Sequence, residues 1–379
     1  MKTYQLSLFA LLLCFGSSLV AQEVDVVIIE EEEEEESSFQ LSGYVDAYYQ
    51  ANFTNSTSEA ETPLAFGSSF TGLTNTFGIG NVNLLAEKSL GKVGFVGQIG
   101  FGPRAVEGNG DSNGSDFLGD NFATTIQQLY VTYSPSEAVT FTLGNFGTFV
   151  GYEVIDASAN MNYSMSYLFS NGPFYHTGAK VDFAITEGFG AMVGVFNDTD
   201  SKFDAIEGKH VGGQLSAEVG GLGAYFNVLY GKDNYGEDEV PSDDDINELQ
   251  LDLTATMQIS ETFMLGLNAS NYATYADGEE AGGFFGTALY ATLAASEGFD
   301  LSLRGEYYTE TAAAGPNDNQ PSVLALTASG NIKIGDLRII PELRLDSGNN
   351  GFGPGYFGGA STEDDDSAFA FILAGVYAF

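Results

Sequence analysis

The chain is 379 residues long, with 12 Lys plus Arg against 52 Asp plus Glu and a formal net charge of −40. So large an acidic excess is repelled by phosphate backbones and excludes nucleic acid as a partner. A single cysteine, Cys14, excludes a disulfide framework and a thiolate metal centre, while 13% aromatic residues and 48 glycines spread along the chain point to many strands and turns rather than to disorder.

Met1–Ala21 carries one basic residue, Lys2, then the apolar run Leu6–Phe15, then small residues ahead of Leu19-Val20-Ala21. A charged start, a short apolar stretch and a small residue at the cut predict a signal peptide over 1–21. The apolar run falls short of the ~20 residues a membrane helix needs, and Leu13 is too bulky before Cys14 for lipoprotein processing. Loss of Lys2 with this segment would leave 11 cations against 52 acids, a net charge of −41. Residues 22–38 include seven consecutive glutamates, Glu30–Glu36, which predict a solvated, disordered acidic tail on the periplasmic side.

From Phe39 the polarity alternates with period two. Leu41, Val45, Ala47 and Tyr49 alternate with Ser42, Tyr44, Asp46, Tyr48 and Gln50; further on, Leu249, Leu251 and Leu253 alternate with Gln250, Asp252 and Thr254. Helical spacing of three and four is missing from these segments. After Ala21 no stretch has the length of a membrane helix, so a bilayer could be crossed only by a closed barrel with apolar residues toward lipid and polar ones toward the lumen. Sixteen such segments occur, near 39–53, 76–88, 92–103, 123–134, 138–150, 174–186, 188–197, 209–219, 222–232, 246–259, 262–273, 283–294, 298–309, 322–334, 337–347 and 367–379. Long connections alternate with short ones such as Ser89-Leu90-Gly91 and Gly335-Asp336. The reading is an all-β fold: residues 39–379 form a transmembrane antiparallel β-barrel of sixteen strands with short periplasmic turns and long outer loops, in the outer membrane of a Gram-negative cell. Sixteen strands leave an aqueous channel.

The last segment puts Phe369, Phe371, Leu373, Tyr377 and Phe379 on one face. Phe371, Leu373, Tyr377 and Phe379 resemble the terminal signal read by the barrel assembly machinery, although the opposite face (Ala368, Ala370, Ile372, Ala374, Val376) is apolar as well. Tryptophan is absent, so tyrosine and phenylalanine, for example Tyr49, Phe53, Tyr133 and Tyr307, must supply the aromatic girdles.

Acidic residues crowd the outer loops, Asp233–Asp245 and Glu363–Asp366, where they would draw cations to the mouth or bridge through divalent ions to lipopolysaccharide. Asp111–Asp116 lacks the glycine and the final acid of a calcium loop, and no metal or other cofactor is expected. The connection 151–173 stands apart, with two acids, Glu153 and Asp156, no base, and many small or apolar residues, which predicts that it folds inward and narrows the lumen. Arg304, Lys333, Arg338 and Arg344 fall on the lumen face of three consecutive strands. With Glu153 and Asp156 they form the candidate constriction, with pairing to Glu306, Glu342 and Asp346 as the purely structural alternative. Asp46, His176, Lys180, Asp182, Glu218, Asp252, Glu306 and Glu342 are the expected lumen lining. Both histidines, His176 and His210, read as lining rather than as catalysts, so no enzymatic activity is expected; residues 22–38 are too short for a plug domain.

Gly43-Tyr44-Val45-Asp46-Ala47-Tyr48-Tyr49, Gln127-Gln128-Leu129-Tyr130-Val131, Gly144-Asn145-Phe146-Gly147 and Gly172-Pro173-Phe174-Tyr175-His176 resemble segments of the OmpL-like β-barrel porin family, over roughly Gly43–Phe183. The resemblance implies a porin-like pore for small hydrophilic solutes without naming one. Barrels of this size are often homotrimers, but no residue pattern here marks an interface. The alternative is a closed structural or adhesive barrel that binds surface partners through its acidic loops.

Overall fold

The computed structural model describes residues 39–53, 68–72, 75–110, 124–203, 208–233, 246–276, 278–312, 320–349 and 367–379. The segments expected to be signal peptide and acidic tail, Asp111–Asp116 and most of the acidic connections expected on the outer side lie outside the described residues.

Sixteen strands form one closed antiparallel sheet in which each strand pairs with its sequence neighbours. They are β1 (Phe39–Asn52), β2 (Thr76–Leu90), β3 (Val93–Phe101), β4 (Ile126–Ser136), β5 (Val139–Gly147), β6 (Tyr175–Thr186), β7 (Phe189–Phe196), β8 (His210–Val219), β9 (Leu222–Asp233), β10 (Ile246–Ser260), β11 (Phe263–Ala276), β12 (Glu279–Ser296), β13 (Phe299–Ala312), β14 (Ser322–Ile334), β15 (Leu337–Asn349) and β16 (Ser367–Ala378). β1 closes on β16 with Tyr44 opposite Ala378 and Asn52 opposite Ala370, and Gly43 and Phe379 exchange backbone hydrogen bonds of 3.0 and 2.9 Å. Closure leaves no strand edge with unpaired backbone groups, which a bilayer could not satisfy.

Every predicted segment is a strand, but some ends move. β11 runs on to Ala276 and β12 starts back at Glu279, so the predicted connection Thr274–Gly282 shortens to 277–278; the two strands go on pairing through Tyr275 and Ala276. β5 stops at Gly147, because the Thr148 amide turns to the Phe174 carbonyl and the chain leaves the wall. Short turns use left-handed glycines such as Gly91 (φ 55°) and Gly335 (φ 60°), where a Cβ would strain the backbone.

Alternation sorts the two faces. Val45, Leu215, Leu289 and Leu326 are exposed on the outside, while Asp46, Asn227, Ala288 and Thr327 are buried inside. The inner face of β16 looks anomalous in sequence because Ala370, Ile372, Ala374 and Val376 are apolar where water was expected. All four are buried, and Ile372, Ala374 and Val376 share a cluster with Ala157 and Tyr163 of the connection between β5 and β6. The inner face is apolar there because protein, not water, covers it.

The pairing of β1 with β2 shifts between Val45 and Ala47, so Asp46 sits at a bulge. Its carboxylate accepts the Asn81 amide at 2.6 Å and fills the space a Cβ on Gly80 would need, 2.0 Å away. Gly80→Val should displace Asp46 and destabilise the barrel by about 1–3 kcal/mol, as overpacking does. Gly375→Ala, whose Cβ would have nothing within 4 Å, should be neutral. The temperature at which heat-resistant electrophoretic mobility is lost checks both; equal values for the two variants would contradict the assignment.

A lumenal loop clasped by the strand wall

Between β5 and β6 the chain runs from Thr148 to Phe174 inside the barrel. Its own side chains shape it first. The Asn160 side chain accepts the Val154 amide at 3.1 Å and donates to the Val154 carbonyl at 2.6 Å, closing a tight turn. Ser166 caps the short helix α2 (Tyr167–Ser170) by accepting the Phe169 amide at 3.0 Å. Apolar contacts then seat the segment. Tyr167 and Leu168 pack on Phe284, Ala288, Tyr308 and Val323 of the wall, while Ile155, Met165 and Phe169 surround Phe70. Tyr152 stacks on Tyr290 with ring centroids 4.2 Å apart. Each large side chain buried this way contributes roughly 1.5–3 kcal/mol.

Polar groups on β1, β10 and β13–β15 complete the seat. Arg304 pairs with Glu153 at 2.5 Å and donates to the Ser164 carbonyl at 2.6 Å; the other oxygen of Glu153 accepts the Ser166 amide at 2.7 Å. Glu342 accepts the amides of Tyr163 (2.7 Å) and Ser164 (3.0 Å), and Glu306 those of Tyr167 (2.9 Å) and Leu168 (2.8 Å). Arg344 pairs with Asp346 at 2.9 Å and donates to the Met165 carbonyl at 2.7 Å. Asp252 takes the Gly151 amide at 3.0 Å, Arg338 donates to the Ala157 carbonyl at 2.6 Å, and the Tyr163 hydroxyl donates to Asp46 at 2.6 Å. Glu306, Glu342, Arg304 and Arg344 are at most 2% exposed, so removing either partner of such a pair would strand a buried charge at a cost of about 3–5 kcal/mol.

The predicted constriction is therefore only partly assembled. Glu153, Arg304, Arg338 and Arg344 meet at the loop. Lys333 does not: one residue from the end of β14, it pairs with Asp300 at 2.6 Å and its side chain is 43% exposed. Asp156 does not face the arginines. It reaches the other wall, where Gln98 (3.0 Å) and Gln127 (3.0 Å) donate to it, and burial lifts its carboxyl above the ordinary aspartate value. Asn83, Gln98, Gln127 and Gln128 form a linked amide cluster around it.

Of the expected lining, Lys180 pairs with Asp182 at 3.1 Å and Glu218 accepts the Tyr225 hydroxyl at 3.0 Å. His176 is buried against Phe149 and Phe196 and bonds Thr148 at 2.9 Å. His210 lies between Asp198 (3.5 Å) and Glu248 (3.2 Å).

Two groups escaped sequence reasoning. Arg104, at the start of an expected outer loop, belongs instead to a short helix α1 (Pro103–Gly108), is 1% exposed, lies 3.6 Å from Asp46 and donates to the Ile155 carbonyl at 3.1 Å. The amide cluster had a partial signal in the Gln127-Gln128 pair, but nothing in the spacing links it to Gln98 or Asp156.

The comparisons agree with this architecture. A family model described as "Putative beta-barrel porin-2, OmpL-like" matches residues 38–379. No curated protein sequence matches the chain. Among solved structures the chain is similar to an anion-selective porin from Comamonas acidovorans (TM-score 0.62, 14% identity, 91% of this chain and 100% of that one). It is also similar to OmpT of Vibrio cholerae in a trimer form (TM-score 0.56, 13% identity, 90% and 99%) and to Salmonella typhi OmpF in complex with daunomycin (TM-score 0.56, 8% identity, 90% and 97%). At such identities the solved structures support the fold alone: a closed barrel of the outer-membrane porin type. With the family model spanning nearly its whole length, the chain belongs to the OmpL-like β-barrel porin family of the outer membrane.

Proposed function

We propose that this outer-membrane porin passes small hydrophilic solutes by passive diffusion and that the segment 148–174 narrows its lumen. The observation that carries the proposal is the seating of that segment inside a sixteen-stranded barrel, held by Arg304, Glu306, Glu342 and Arg344 rather than left outside as a surface loop. The lower inner wall of β4–β9 keeps polar groups such as Thr132, Lys180 with Asp182, Gln214 and Tyr225 only partly buried, as a solvated passage requires.

A weak cation preference follows from electrostatic balance. The basic wall that could have opposed it is largely neutralised, since Arg304 pairs with Glu153, Arg344 with Asp346 and Lys333 with Asp300. The acidic outer loops then decide. Their reach fades beyond ~8 Å at physiological salt, so the preference weakens as salt rises. Lipopolysaccharide and the barrel assembly machinery are the proposed membrane partners, the latter through Phe371, Leu373 and Tyr377, which alternate with the buried inner residues of β16, and through Phe379 just past its end. A homotrimer is proposed by analogy with the trimer form of the Vibrio cholerae protein.

One observation favours the second reading, a closed structural or adhesive barrel: the inner segment touches opposite walls, through Arg304 on β13 and through Gln98 and Gln127 on β3 and β4. Reconstitution in planar bilayers separates the two. Stepwise conductance is expected; a silent barrel at every protein concentration would favour the closed reading. In a salt gradient the reversal potential should show cation preference that shrinks with ionic strength, and anion preference at low salt would mean that the basic wall governs permeation.

A further inference from the structure

The connection between β7 and β8 is described over 197–203, and there it is packed into the molecule: Asp198, Ser201 and Lys202 are all buried. Its central residue, Asp200, has a φ of 55°, a left-handed conformation uncommon for a residue with a side chain. The contacts of this turn are specific. One carboxylate oxygen of Asp200 accepts the amides of Phe174 (2.7 Å) and Tyr175 (2.9 Å), where the lumenal segment rejoins the wall at β6. The Tyr175 hydroxyl lies 2.6 Å from the carbonyl oxygens of both Asp200 and Gly110. Lys202 donates to the Asn109 carbonyl at 2.5 Å, and its ammonium stands 4.0 Å from the centre of the Tyr175 ring. The turn thus ties the end of the lumenal segment to the residues that follow α1.

Two groups make this hold depend on protonation. His210, at the start of β8, has Nδ1 3.5 Å from Asp198 on the turn and Nε2 3.2 Å from Glu248 on β10. Glu248 also accepts the Tyr272 hydroxyl of β11 at 2.5 Å. Around the ring stand Gly231 of β9, where a Cβ would strike it, Phe196 of β7, opposite in register, and His176 of β6, within electrostatic range. A protonated imidazole meets both carboxylates with an N–H; a neutral one leaves one carboxylate facing a lone pair. The second group is Asp200 itself. Burial lifts its carboxyl to about 7, although the two amides and Lys202 favour the charged form. Because that value lies above the ordinary ~3.9 of aspartate, docking contributes stability that is complete below the ordinary value and lost as pH rises through about 7. Loss of the His210 proton acts in the same direction.

We propose that the turn 197–203 is a pH-sensitive latch on the lumenal segment, closed in acid and released as the pH rises, with Asp200 as its catch and His210 as the strut that ties it to β10. The latch acts on one end of the segment and is independent of whether the barrel conducts.

Amide hydrogen exchange on the folded barrel, corrected for the intrinsic pH dependence of the chemistry, tests the latch in the wild type and in Asp200→Asn. The asparagine oxygen can still accept both amides but the side chain cannot ionise. In the wild type the amides of Phe174 and Tyr175 should exchange about tenfold faster at about pH 8 than at about pH 6, and in Asp200→Asn that difference should largely disappear. The amides of Tyr163 and Ser164, held by Glu342, should stay protected throughout. A wild type without the rise, or an equal rise in Asp200→Asn, would overturn the latch. So would a parallel loss of protection at Tyr163 and Ser164, because the whole segment rather than its end would then be responding. His210→Gln should exchange faster than the wild type at Phe174 and Tyr175 already at about pH 6; no difference there would overturn the role given to His210.

Discussion

The structure depends on one constraint: a chain segment placed inside a barrel must have its backbone amides and carbonyls bonded by the wall once water is excluded. Here the wall supplies carboxylates for amides and guanidinium groups for carbonyls. Glu342 and Glu306 each take two successive amides, and Arg304 and Arg344 each take one carbonyl while pairing with a carboxylate. All four arginines of the chain, Arg104, Arg304, Arg338 and Arg344, are spent on this segment. Arginine suits the task because its planar fork can meet a carboxylate and a carbonyl at once, whereas the lysines, such as Lys180 and Lys333, form simple pairs lower in the barrel.

That constraint reorganises the electrostatics. In sequence, Arg304 and Arg344 look like a bare basic wall facing two acids across a constriction. In the fold those charges are consumed locally and lie almost wholly out of water. Under the proposed diffusion reading, the acidic charge of the outer connections is what would remain to act on a solute.

The strand pattern was legible because period-two alternation records which side of each strand meets lipid, and lipid tolerates no polar residue there. The inner face is a looser code. Ile372, Ala374 and Val376 broke the alternation because their neighbours are Tyr163 and Ala157 rather than water, and those neighbours are about two hundred residues away in sequence. The low charge and apolar content of 151–173 did disclose that it turns inward. The direction of Asp156 could not be read, since it depends on which wall carries free amide donors, and Gln98 and Gln127 come together only when β3 and β4 pair. Arg104 was hidden for a similar reason: a one-and-a-half-turn helix begun by Pro103 carries no periodic signal.

The central claim, that the segment sits clasped in the lumen, is tested most directly by a cross-link. The Asn162 side chain donates to Ser329 on β14 at 2.6 Å, and the only native cysteine, Cys14, lies far upstream of the barrel. With Cys14 replaced, the pair Asn162→Cys and Ser329→Cys should be joined rapidly by a short bifunctional thiol reagent in the folded, membrane-inserted protein, and with no loss of heat-resistant mobility. Failure to cross-link there, with both thiols shown to be reactive, would contradict a seated segment and return it to the barrel surface.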